Sequence, residues 1–257
     1  MLTIPKILDT PEFLDAKLDY KWTNSIEDGM TERVSDILFD TVCPLNHKAQ
    51  TGLAIAMTEF IYWRLHKFCE KKNIELTTSF SLVEILWTGI IDKQYAVCYP
   101  PRIFDIEDAK IVGVISNTDA FLSYTSKRYL KGSYFTYESV PSLVKLARHI
   151  APDKDWFDNW ITDIFQRALK LFPALYDVDE IIFERNTYEK MVYDSSLEPS
   201  IPREFFFEPD FDYEKAAIIA LNQAYLDNLD PNNLFLNPTK EIIENGFEGT
   251  PYKYEPK

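Results

Sequence analysis

The stretch spanning residues 47–72 constrains the fold more than any other part of this 257-residue chain. Leu53, Met57, Phe60, Ile61, Leu65 and Phe68 recur at spacings of three and four and form one helical stripe, while Ala54, Ile55 and Tyr62 make much of the remaining surface apolar. A helix that is apolar around most of its circumference has to be surrounded by other elements, so this spacing predicts a central helix. Its neighbours must then also be long enough to cover it.

Helical periodicity supplies those neighbours. Val34, Ile37, Leu38 and Val42 form a short stripe with Thr31 as its N-cap and Pro44 at its end; Ser81 is positioned to open a helix that stops at Pro100 and Pro101. Further patterns cover 107–130, 140–150 and 155–172, the last with Trp156, Trp160, Ile164 or Phe165, Ala168 and Leu171 or Phe172 along one side and Pro173 as its stop. No repeat of 30 to 45 residues is visible, which argues against a regular solenoid. The expected architecture is mainly α: an irregular multi-helix domain spanning 1–257, with a lead-in segment at 1–30, a helical core at 31–172 and a less regular acidic C-terminal region at 173–257. In that last region residues 179–194 fit either a short β-hairpin around Arg185 and Asn186 or a helix, 213–228 reads as one clear helix, and the tail from Leu234 reads as an arm packed on the body.

Charge and composition narrow the functional classes. The formal charge is −14, and residues 181–257 carry 15 acids against 7 bases. No basic run exceeds Lys71-Lys72, so phosphate-backbone binding is not expected and nucleic acid is not a predicted partner. Wholly apolar runs are far shorter than the roughly 18 residues a membrane helix needs. The N-terminus lacks a long apolar segment with a cleavage site, which predicts a cytoplasmic protein without a membrane partner. Cys43, Cys69 and Cys98 are odd in number and sit among apolar neighbours, as buried thiols do. The seven glycines are mostly isolated, so no phosphate-cradling G-x-G-x-x-G or P-loop motif is present; Gly246 and Gly249 alone lie close together, in ENGFEGTPY.

No motif specifies a reaction or a cofactor. His47, His66 and His149 fall in no Glu-x-x-His or H-E-x-x-H pattern. His66 and Glu70, four apart on the central helix, are weak candidates for holding a cation or exchanging a proton, with Glu59 roughly 10 Å away along the axis. The same spacing suits an ordinary polar pair. No G-x-S-x-G elbow occurs.

The remaining feature is EFFFEPDFDYE, residues 204–214, in which five acids and five aromatics share eleven positions. Acids beside rings resist burial, so Glu204, Glu208, Asp210 and Asp212 are expected to face water or a positive partner. Asp210 or Asp212 also fits an N-cap for the helix that follows. An acidic chain with dense aromatics and no catalytic motif has the character of a protein-binding inhibitor or immunity-type protein that neutralises a basic partner such as a nuclease-like toxin. A helical scaffold or adaptor is the first alternative, and an enzyme using His66 and Glu70 the second.

Overall fold

The structure, a computed structural model, describes residues 2–22, 36–97 and 109–254. Along the chain come α1 (Pro11–Leu14), α2 (Asp36–Val42), α3 (His47–Lys71), α4 (Thr77–Ile91), α5 (Ala109–Leu130), α6 (Val140–Ile150), α7 (Lys154–Leu171), α8 (Val178–Phe183), α9 (Arg185–Tyr188), α10 (Glu204–Phe207), α11 (Ile218–Asp227) and α12 (Thr239–Glu244). Short 3-10 turns lie at Lys93–Tyr95, Thr136–Ser139 and Ser195–Leu197. No β-sheet forms among the described residues; two isolated bridges, Leu45 with Pro173 and Ala96 with Leu236, are the extended pairings. The protein is mainly α, as its periodicity predicts.

The Asn46 side chain opens α3 by accepting the Ala49 N–H at 2.8 Å, and the helix then runs 25 residues, about 37 Å. Nearly every side chain from His47 to Leu65 is buried. α4, α5 and α6 surround it, with α1 and α10 closing further sides and α7 packing on α6. Several of the polar groups that such a helix takes inside are hydrogen-bonded to carbonyls of neighbouring segments. Gln50 donates to the Leu45 and Cys43 carbonyls at 2.7 and 3.2 Å. Arg64 donates to the carbonyls of Ala16, Lys17 and Ile150, which ties the N-terminal segment down while Phe13 sets its ring 5.0 Å from Phe60.

Several boundaries differ from the sequence expectation. α4 begins at Thr77 rather than at Ser81, with Leu76 at the cap position and no side-chain cap. Residues 31–35 and 98–108, which include Thr31, Cys98, Pro100 and Pro101, lie outside the described residues. The segment left open between hairpin and helix forms the short helices α8 and α9. Asp177 decides this locally: its carboxylate accepts the N–H groups of Asp179 and Glu180 at 3.0 and 3.2 Å and starts a helical turn. The helix expected at 213–228 starts later, at Ile218, because Ala217 leaves the helical region at ψ 69°. The C-terminal arm carries α12 and a small core of its own, in which Ile91, Tyr95, Leu226 and Ile242 meet Phe247, Tyr252 and Tyr254; Tyr252 stacks on Tyr95 at 4.6 Å.

Candidate functional site

The acids and rings of 204–214 separate. α10 turns Phe205, Phe206 and Phe207 inward, all buried. Phe205 meets Phe172 edge-on at 5.1 Å, Phe206 lies 5.4 Å from Trp87, and Phe207 stacks on Trp160 at 6.0 Å. The carbonyls at the end of this single turn are satisfied from outside it: Trp160 donates its indole N–H to the Phe206 oxygen at 3.0 Å and Arg167 donates to the Phe205 oxygen at 2.9 Å. Glu204 is half-buried, and burial raises its pKa, with Glu208 adding to the rise. Glu208, Asp210 and Asp212 are exposed. Asp212 is not the N-cap of α11; it closes a separate turn by accepting the Lys215 N–H at 3.3 Å and pairing with the Lys215 ammonium at 2.6 Å. No cap role is seen for Asp210. Two of the four expected acids, Glu208 and Asp210, therefore face solvent without a described partner.

The central-helix acids behave differently from one another. His66 Nε2 lies 3.5 Å from Glu70 Oε1, both partly exposed, in an ordinary i,i+4 pair. Among the described residues no group of three His, Cys, Asp or Glu is placed to hold a metal ion. Glu59, which periodicity placed two turns from His66, is fully buried. It accepts the indole N–H of Trp87 at 2.9 Å and of Trp63 at 3.2 Å, and it pairs with Arg203. Burial opposes the Arg203 charge, but Glu59 outweighs it and the pKa is raised. Glu59 thus anchors the segment before α10 to the centre of the fold. Cys43 and Cys69 are buried; burial pushes the Cys43 thiol up to about 12, which keeps it un-ionised and unreactive.

Two surface features were not read from the sequence. The first is the segment 175–192. Ile181, Tyr176 and Tyr188 moor it to the body, while Leu175, Ile182, Phe183, Met191 and Val192 are exposed, Phe183 to 89%. Asp177, Asp179, Glu180, Glu184 and Glu189 are exposed among them, against Arg185 and Lys190. Arg185 is already spent on Glu138 and Glu189, at 2.7 Å each.

The second is a cleft of about 720 Å³ between the N-terminal end of α3, the 194–200 segment and the C-terminal arm. At its floor Glu198 accepts the N–H groups of His47 and Lys48 at 2.9 and 2.8 Å and the Tyr193 hydroxyl at 2.9 Å. Burial works against this carboxylate, but the His47 ring 3.4 Å away and the two helix amides hold its pKa below the usual value. The Lys48 ammonium donates to the Glu198 carbonyl at 3.0 Å. Glu198 is 151 residues from the helix it caps, so no local motif marks it.

No protein-family model, curated protein or solved structure matches the chain. No helix among the described residues is long and apolar enough to cross a membrane.

Proposed function

We propose that this chain is a protein-binding inhibitor of the immunity type, which neutralises a basic partner through an acidic surface studded with apolar side chains. The observation that carries this reading is the exposed segment 175–192, where Phe183 stands 89% exposed beside Ile182 among five uncommitted or partly committed acids. A ring left in water on a moored segment is costly unless something covers it, and surrounding carboxylates favour a cationic partner. Glu208 and Asp210 extend the acidic character of the same C-terminal third. In this reading the carboxylates speed capture and the apolar side chains slow release.

The test is retention of partners from an extract of the native cell by the wild-type chain and by Phe183→Ser, at low and high salt. The recovered partner's own activity is then assayed with and without the chain. The expected result is a basic protein that salt elutes, that is inhibited on titration, and that binds the variant about thirtyfold more weakly, the loss of one interface anchor. A salt-insensitive partner, a basic one that F183S retains equally, or one whose activity is unaffected would overturn the reading.

A further inference from the structure

The cleft beside the C-terminal arm is built from groups that the partner surface does not use. Its lining includes Lys93 and Lys253, and neither ammonium pairs with a described group. The turn 246–250 forms one wall, and Gly246 and Gly249 bend it with φ of 83° and 110°, a region that favours glycine. A Cβ at Gly246 would meet nothing within 4 Å, so that wall borders open space. The two neighbouring glycines of ENGFEGTPY have their use here. The backbone N–H groups of Glu248, Gly249 and Thr250 donate to no described acceptor, and consecutive free amides beside lysines form an anion-receiving concavity. The Gln94 side-chain oxygen, also in the lining, is buried without a donor. Unpaired buried acceptors are uncommon and are met by a donor from water or from a bound group. Tyr213, Tyr254 and the half-exposed Ile219 add flat and apolar surface.

The lining also holds carboxylates, and their commitments decide which charge the cleft accepts. Glu198 is turned to the α3 amides. Asp92 accepts the Gln94 N–H at 2.9 Å and Asp194 the Ser196 N–H at 2.9 Å. Glu248 is the one lining acid with no described partner, and it is exposed at the mouth. Asp92, Asp194 and Glu198 keep their charge but are held by backbone N–H groups, so of the charged side chains without a described partner the lining has two ammoniums against one carboxylate. We propose that the cleft binds a small phosphorylated metabolite with a planar ring, of the size and chemistry of a nucleoside monophosphate. Its phosphate is received by Lys93, Lys253 and the amides of 248–250, and a donor on the ring system meets Gln94. The volume is that of an ordinary small-molecule site.

Isothermal titration of the full chain with AMP, adenosine, ribose 5-phosphate and inorganic phosphate tests this, with backbone NMR shifts locating the ligand. AMP is expected to bind with a Kd below about 1 mM, at least tenfold tighter than adenosine or inorganic phosphate. Its addition is expected to shift the amides of Gln94 and Gly249. Lys93→Gln and Lys253→Gln each weaken binding about tenfold, the scale of one charged hydrogen bond. Glu248→Gln tightens it, a gain that no folding defect could mimic. Adenosine binding as tightly as AMP would overturn the phosphate assignment, and phosphate alone binding as tightly would overturn the ring assignment. Absence of AMP binding, or shifts confined to another surface, would overturn the site itself.

Discussion

At the scale of single residues, burial of charge separates structural carboxylates from available ones. Glu59 is enclosed by two indoles and Arg203, so removing its charge strands a guanidinium that is only 14% exposed. Glu59→Gln, which keeps the shape and an acceptor oxygen, is expected to cost about 3 to 5 kcal/mol in denaturant unfolding. The double variant Glu59→Met with Arg203→Met is expected to lose less, because no unpaired charge remains. Glu204 is the opposite case. Its pKa in the fold lies above the value of the free side chain, so ionisation at neutral pH works against folding, and that penalty disappears as pH falls and the group protonates in both states. Glu204→Gln is expected to raise the Tm at pH 7 by about 1 to 2 °C and to leave it unchanged near pH 3, as read by calorimetry. Both roles follow from who surrounds the acid, which spacing in EFFFEPDFDYE does not specify.

Elements meet through a few tight contacts, and one of them joins α3 to α10. Gly52 faces Phe206, and a Cβ there would lie 2.6 Å from the ring. Gly52→Ala is therefore expected to cost about 1 to 3 kcal/mol by overpacking, measured by urea unfolding, and Phe206→Leu in the same chain to restore part of the loss. Helix existence was legible in advance because apolar spacing at three and four is a local property: α3, α6 and α7 fall within a residue or two of their expected spans. Helix starts were less legible. Asp153 caps α7 through the Trp156 N–H at 2.9 Å, as acids at helix starts do, but α4 and α11 begin without any side-chain cap. There no side-chain acceptor marks the start, and a search for capping residues lands on the wrong position.

On the scale of the whole molecule, the distant cap on the central helix gives a pH dependence. Glu198 has its pKa lowered in the fold from an ordinary 4.5. Its contribution is fully present above the unfolded value and is lost as pH falls through the depressed folded value. Glu198→Gln is expected to lower stability at pH 6 and to flatten the loss of stability below about pH 4.5, seen as converging wild-type and variant denaturation midpoints in acid. The apolar circumference of 47–72, the absence of basic clusters and the lack of long apolar runs determined by themselves that the chain would be a mainly helical body around one buried helix, because periodicity and composition act over neighbouring residues. Which acids remain free was decided by tertiary structure. Glu59 met Arg203 from 144 residues away and Glu198 met the first turn of α3 from 151, while Phe183 and the turn at Gly249 were left facing solvent and cleft. Burial and pairing depend on parts of the chain brought together by packing, and no local spacing records them.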